Sequence, residues 1–459
     1  MSDRSQSRQE RTVLSYNRSV GLSGSVQRLS SDAGALLVRQ LDERLGFTKA
    51  LATRLVDPRS PVAIEFSLAE LIRSRTYTMV QGWHDQSDAD RLRQDPAFCV
   101  ATSDSRGPGA ADRGLASQST QSRLIDTLSL LPNRSTMRSA LPDLAIRCQQ
   151  LRSGKPLESF TIDLDSTNQE THGSQQGSKY NGYYEQTCYH PLLAFAGETG
   201  DLLGGWLRPG NVSSQRGASV FALRLMQELV GKYGDRVKAV RGDCAFATPL
   251  IMNCLDDHET PFVFRLRWNK ALERLAEPYM KRPVGRPPDH VREWTYDLEY
   301  QADGWRAPRR MVLVVIDDPK DRFMDQPGTG LRSFCLVTNF TAKEMPGEKL
   351  LEYYRQRGTV ETRIGEFKNE IQPLLSSPRL VENATTFLLG AIAYQLAHTL
   401  RLMATNAVGR TEWYSLSAFR EQLLKVAARF TSGQNRVYAA VASTAWAIWQ
   451  RIFARLAPA

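Results

Sequence analysis

The stretch Ser159-Phe160-Thr161-Ile162-Asp163-Leu164-Asp165 alternates apolar and polar side chains with the period of a β-strand, and it ends on a carboxylate. Residues 183–195 and 202–207 carry two further strand patterns. Residues 218–233 change period and read as an amphipathic helix, with Phe221, Leu223, Leu225, Met226 and Leu229 as its apolar positions. Residues 237–240 form a short apolar strand that runs into Arg241-Gly242-Asp243, where Gly242 lets the backbone bend.

Three strands, a helix and a strand is the order of a ribonuclease-H-like core, so the expected fold class is α/β. Residues 260–345 read as strand-rich, and residues 347–370 return to helix. The expected organisation starts with a flexible basic arm over 1–30 and an N-terminal helical DNA-binding region over 31–150. The first part of the core follows over 151–260, then a β-rich insertion over 261–345. A returning core helix over 346–375 and a C-terminal helical region over 376–459 complete it. Residues 102–118, polar and rich in Gly and Ser, read as a linker or exposed loop. Residues 387–402 are apolar but interrupted by Gln395, His398 and Arg401, which predicts a buried helix and no membrane span.

The chain has 459 residues and a formal net charge of +10, which favours a polyanionic partner, most simply nucleic acid. Its 41% hydrophobic fraction excludes a disordered chain. Cysteines at 99, 148, 188, 244, 254 and 335 form no CxxC pair and no Cys/His cluster of zinc spacing; buried, reduced thiols are expected. The polar N-terminus lacks an apolar signal core, in keeping with a cytoplasmic protein.

Asp165 ends its strand, and Asp163, two residues earlier, points to the same face. Paired carboxylates are costly to bury unless a cation neutralises them. Asp163 can instead face outward from a twisted edge, so the metal is assigned to Asp165 alone; a strand-end Asp also serves simply as a turn cap. Asp243 ends another short strand. A third carboxylate lies in Tyr354-Arg355-Gln356-Arg357-Gly358-Thr359-Val360-Glu361, which continues to Lys368. Read as one helix, this puts Tyr354, Arg357, Glu361 and Lys368 within an arc of roughly 60°. Such a stripe sets a metal-binding carboxylate beside cations that hold phosphate, although a solvated face with i,i+4 ion pairs has the same pattern. Asp165, Asp243 and Glu361 can hold two divalent metals, and an all-oxygen donor set suits Mg²⁺. Spacing alone does not join three such distant positions among 49 acidic residues.

A series of short motifs supplies the link. They are Gly82-Trp83-His84-Asp85-Gln86-Ser87-Asp88-Ala89-Asp90, Leu92-Arg93-Gln94-Asp95-Pro96, Leu115-Ala116-Ser117-Gln118, Asp163-Leu164-Asp165-Ser166-Thr167 and Thr171-His172-Gly173. Tyr180-Asn181-Gly182-Tyr183-Tyr184, His190-Pro191-Leu192-Leu193, Arg208-Pro209-Gly210-Asn211 and Arg241-Gly242-Asp243 follow, then the Tyr-x2-Arg-x3-Glu-x6-Lys stretch. In this order they resemble bacterial insertion-sequence transposases of the DDE class, in particular insertion sequence family 1380 of the insertion-sequence-4-like group. The resemblance covers nearly all the chain from about residue 30. It implies a ribonuclease-H-like catalytic domain with a β-rich insertion between the second Asp and the Glu. It maps the catalytic, metal-binding triad to Asp165, Asp243 and Glu361, and the DNA-phosphate contacts to Tyr354, Arg357 and Lys368. It further implies Mg²⁺, with Mn²⁺ substituting, and double-stranded DNA partners in the form of terminal inverted repeats and target. A homodimer on DNA and a cytoplasmic, nucleoid-associated location complete the expectation. Trp83 departs from the family's usual Tyr.

Two rival readings are a metal-dependent nuclease of the same fold without strand transfer, and a non-catalytic DNA-binding protein descended from a transposase. His172 lies close enough to the first Asp to approach substrate, whereas His190, inside an apolar strand, reads as a satisfied structural histidine. Tyr180, Tyr183 and Tyr184 either pack on a sheet or stack on bases. Gly285-Arg286-Pro287 resembles a minor-groove hook that would insert Arg286, or is a plain surface loop. Trp268, Trp294 and Trp305 include candidates for a wedge against a flipped base.

Overall fold

The computed structural model describes residues 12–16, 18–23, 27–155, 159–171, 173–233, 237–282, 284, 289–319, 331–371, 373–410 and 414–457. In the N-terminal half, helix α1 (Leu68–Val80) starts at a capping box: Ser67 Oγ accepts from the Glu70 amide while the Glu70 carboxylate accepts from the Ser67 amide. Helix α2 (Leu131–Ser153) runs through Pro142 and stops at Gly154 in the left-handed region.

Eight strands then build one mixed sheet. They are β1 (Phe160–Ser166), β2 (Leu192–Ala196), β3 (Leu202–Trp206), β4 (Val237–Gly242), β5 (Phe262–Arg265), β6 (Arg292–Tyr300), β7 (Arg309–Asp317) and β8 (Leu331–Thr338). Their spatial order is β6-β7-β8-β5-β4-β1-β2-β3. Strands β1, β4 and β5 run parallel, and the other neighbouring pairs are antiparallel. The carboxyl ends of β1, β4 and β5 therefore share one edge of the molecule.

Helices cover both faces. On one, α3 (Ala218–Tyr233) and α4 (Pro249–Asp257) pack Leu225, Leu229, Ile251 and Leu255 onto Phe160, Ile162, Leu164, Val240 and Phe262. On the other, α5 (Gly347–Arg355) lays Leu350, Leu351 and Tyr353 over Ala239, Val263, Val312 and Leu336. The chain continues into α6 (Thr359–Glu366) and then α7 (Leu380–Ala407), whose residues 382–405 are buried without interruption. Helix α7 is long and apolar enough to cross a membrane, but protein covers it on all sides. It shares one hydrophobic core with α1, α2 and β3.

Several expectations need correction. Residues 183–195 are not one strand: Pro191, which has no N–H to donate, separates Gln186–Tyr189 from β2. Gln186–Tyr189 belongs instead to a small sheet with Gln169–Glu170 and Lys179–Asn181. Residues 102–118 are not an exposed loop, because Gly109–Asp112 is helical and Ala110, Ala111, Leu115 and Ala116 are buried. The end of the expected basic arm, Arg28–Ser30, is a strand paired with a hairpin of Ala428–Ser432 and Val437–Val441, so the C-terminal region is not all helix. The Tyr354-to-Lys368 stripe is not one helix either. Gln356–Gly358 tightens to a 3₁₀ turn between α5 and α6, and Phe367–Ile371 widens to a π-helix, so a fixed 100° step does not apply.

Candidate active site

Strands β1 and β4 meet in a register that sets Asp163 opposite Arg241. The Arg241 Nε donates to Asp163 Oδ1 at 2.7 Å and its Nη2 to Oδ2 at 2.8 Å, a bidentate pair sealed from water. Arg241 Nη1 donates to the carbonyl of Tyr353 on α5. Asp163 therefore faces neither solvent nor a metal: its partner is a buried guanidinium on the neighbouring strand. Asp165 lies two residues further along β1, and Asp243 directly follows the end of β4, so both come out at the carboxyl ends of neighbouring parallel strands.

Asp165 is 8% exposed. Burial pushes its carboxyl up to about 6; the Arg357 guanidinium opposes that rise, and the charges of Asp243 and Glu361 add to it. Two further carboxylates thus act electrostatically on Asp165. Asp243 Oδ1 accepts from the Ala245 amide at 2.9 Å, which fixes the turn after β4. Glu361 sits exposed in the first turn of α6. Arg363, two residues on, anchors that helix to the end of β2 through the carbonyls of Ala196 (3.2 Å) and Gly197 (3.1 Å).

The basic residues take distinct places. Arg357 lies in the 3₁₀ turn and reaches inward, with Nη2 2.9 Å from Asp165 Oδ2 and a buried Nε without a partner. A solvated stripe of i,i+4 ion pairs is therefore not what these residues form. Burial raises the half-buried Tyr354 phenol, whose electrostatic neighbours include Arg357, Arg265 and Asp243. Lys368 Nζ donates to Asn168 Oδ1 at 2.6 Å beside the exit of β1, and burial lowers its pKa.

Sequence reasoning quoted Arg208-Pro209-Gly210-Asn211 as a motif and gave it no task. Arg208 is buried and donates to the carbonyls of His190 (2.8 Å), Ser213 (3.2 Å), Ser214 (3.1 Å) and Arg216 (2.6 Å). It shapes the loop whose Ser214 Oγ accepts from Ser166 Oγ, next to Asp165. A Cβ on Gly210 would lie 2.0 Å from the Cys188 carbonyl oxygen, so no side chain fits there. Tyr184 is the tyrosine of its cluster that senses Asp165 and Asp243, while Tyr180 and Tyr183 are exposed. His190 is only half satisfied: Nδ1 bonds the Val212 carbonyl at 2.7 Å, and the buried Nε2 has no partner. Of the tryptophans, Trp305 is buried, Trp294 is half-buried under Arg292, and Trp268 is 41% exposed beyond the end of β5. Arg286 and His172 lie outside the described residues. All six cysteines are free.

Among the described residues, no group of three or more His, Cys, Asp and Glu side chains stands close enough to hold a metal ion in this conformation. The chemistry of the donors nevertheless suits one. Asp165, Asp243 and Glu361 are hard oxygen donors in mutual repulsion, and Arg357 is the only cation paired with Asp165 among the described residues.

Asp165 and Asp243 lie at the carboxyl ends of two parallel strands, with the Arg357 guanidinium paired to Asp165 and the Tyr354 phenol near Asp243. The family described as Transposase DDE domain group 1 matches residues 13–458, and the chain belongs to it. That family comprises nucleic-acid-cutting enzymes that act on DNA and generally use a divalent metal. Comparison with curated proteins finds no match.

Two predictions follow from this geometry. Arg241→Ala leaves the Asp163 charge buried and unpaired, with an expected loss of about 3–5 kcal/mol in urea unfolding; Asp163→Leu combined with Arg241→Met recovers most of it. The second concerns Asp165. Folding raises its pKa, so the fold takes up a proton between about pH 4 and pH 6, and stability falls as pH rises through that window. Asp165→Asn should therefore raise the melting temperature in EDTA by a few degrees at pH 7.5 and leave it unchanged at pH 4. A lower midpoint at pH 7.5 would refute this account.

Proposed function

We propose that the protein is a DNA transposase of insertion sequence family 1380. It cuts at the terminal inverted repeats of its element and joins the freed 3′ ends to target DNA by two-metal phosphoryl transfer. The observation that carries this reading is the match of residues 13–458 to a DDE transposase family; the charges of Asp243 and Glu361, both felt by Asp165, support assigning the triad to these three residues. The strand order β3-β2-β1-β4-β5, with β2 alone reversed, supports a ribonuclease-H-like core. Strands β6 to β8 are then the insertion between Asp243 and Glu361.

In this reading Asp165, Asp243 and Glu361 hold Mg²⁺, for which Mn²⁺ substitutes. When bound, the metals supply Lewis-acid polarisation of the scissile phosphate and activation of the attacking oxygen. The chain's own contribution is positioning and charge neutralisation. Arg357 balances Asp165 in the resting site, and its planar fork is suited to a phosphate once that carboxylate has another partner. Tyr354 and Lys368 flank it and orient the DNA strand, first for attack by water and then for in-line attack by the 3′-hydroxyl. The substrate is double-stranded DNA, the working state is a homodimer on it, and the setting is the cytoplasm and nucleoid. Helix α1 is buried along its whole length and cannot enter a groove, so reading of the repeats by residues 31–150 falls to the outer surface of that region.

A gel assay with a labelled terminal repeat and a supercoiled target tests the reading. Asp243→Asn and Glu361→Gln should each reduce cutting and joining at least about a thousand-fold, as loss of an essential group does, while end binding persists. Nicks without joined products from the wild type would favour a nuclease. Arg357→Ala should weaken binding to pre-cut ends and flatten the dependence of log K on log salt by about one phosphate contact; an unchanged slope would count against its phosphate role.

A further inference from the structure

Away from the carboxylates, α2, α3 and the outer strand β3 enclose a cleft of about 690 Å³. Its floor is apolar, with Phe221, Leu225 and Leu388, and its walls carry Arg138 from α2 and Arg224 from α3. Arg134 precedes Arg138 by four residues, hence about 6 Å along the same face of α2. Among the described residues, neither Arg138 nor Arg224 has an ion-pair or hydrogen-bond partner. Glu228 is the carboxylate among the residues that line the cleft. Burial lowers the pKa of Arg138, and the charges of Arg134 and Arg224 lower it further; no carboxylate offsets them. The two guanidiniums that line this cleft repel each other, and the surrounding low dielectric strengthens any anion contact they make.

The cleft also has a defined place relative to the catalytic edge. Trp206, in its wall, pairs with Leu192, and Leu192 pairs with Ser166, the residue after Asp165. Trp206 lies on the α3 face of the sheet, opposite the face that Asp163 and Asp165 share, and its backbone is two strands, about 10 Å at the usual strand spacing, from that of Ser166.

We infer that this cleft is a second DNA-backbone site, in which Arg138 and Arg224 bind phosphates of the duplex. The inference rests on the transposase reading and extends it by naming where the DNA goes beyond the cut. A second copy of the chain fits less well, since two guanidiniums without carboxylate partners call for a polyanion. The exposed Leu131 and Val220 on the rim suit the apolar edges of deoxyribose.

Fluorescence anisotropy with a labelled terminal-repeat duplex that carries flanking DNA, titrated with KCl in EDTA, tests it. Arg138→Gln/Arg224→Gln should lower affinity at low salt and reduce the salt slope by about two, with an unchanged melting temperature. Arg138→Lys/Arg224→Lys should keep most of the slope, because it keeps the charge. An unchanged slope in the Gln variant, with normal binding by the wild type, overturns the inference and leaves the catalytic reading standing. A shift from dimer to monomer in sedimentation with the slope unchanged also overturns it, in favour of a second copy as the occupant. Failure of the wild type to bind the duplex at all overturns the transposase reading as well.

Discussion

The buried pair between Asp163 and Arg241 is the interaction on which the site depends. It crosses the parallel β1–β4 junction, and the same guanidinium holds the Tyr353 carbonyl of α5. One side chain thereby fixes three elements: the strand of Asp165, the strand of Asp243, and the helix that leads to Arg357 and Glu361. A slip of one residue between the strands would turn the acidic residues of one strand to the opposite face. Desolvation works against such a pair, and the Asp163 carboxyl is pushed up by burial even with Arg241 beside it. Its value lies in registry. An apolar pair would fill the space without specifying which residues meet at the next rung.

That next rung is electrostatically unfavourable as it stands. Asp165 is held away from water, opposed by two further carboxylates, and compensated by Arg357 alone among the described residues. A fold selected for stability would not gather charges in this way, and the cost is the usual mark of a site built for a ligand of opposite sign. The inward reach of Arg357 gives the resting protein a counter-charge in place. The exposed Glu361, on a helix anchored by Arg363, supplies the third carboxylate from the solvent side.

Much of the core was legible because it rests on period alone. Helix α3 spans the residues its apolar spacing predicted, and β1 and β4 differ from their predicted bounds by one or two residues. The environment of Asp163 was not legible. Alternation in β1 suggested a polar face open to solvent, yet both faces are buried, and the polar one is covered by α5 with Glu198, Tyr353 and Arg241 as partners for Thr161 and Asp163. Each of those partners is distant in sequence, and local period carries no information about them. The split at Pro191 was local and could have been read from the missing donor. The 3₁₀ turn at Gln356–Gly358 had a weaker cue in Gly358, a poor helix former. The assignment of Asp165, Asp243 and Glu361 came from family resemblance, since no spacing rule reaches across two crossovers and three intervening strands.

The helical half of the molecule changes meaning once its contacts are known. Its Gly82-Trp83-His84-Asp85 motif lies against the end of the Glu-bearing segment: His84 Nδ1 bonds the Ile371 carbonyl at 3.0 Å. Arg420, from the C-terminal region, donates to the Val80 carbonyl at the end of α1 and to both the carboxylate and the carbonyl of Glu370. Trp83 donates from its indole to Asp32 at 3.1 Å and so ties this motif to the start of the helical region. A tethered DNA-reading domain would need none of these bonds. They are those of a buttress: the N- and C-terminal segments close on each other and clamp the π-helical stretch that follows α6, so the helix carrying Glu361 is held at both ends. Arg363 and the Tyr353 carbonyl hold it to the sheet, and Arg420 with His84 hold its exit.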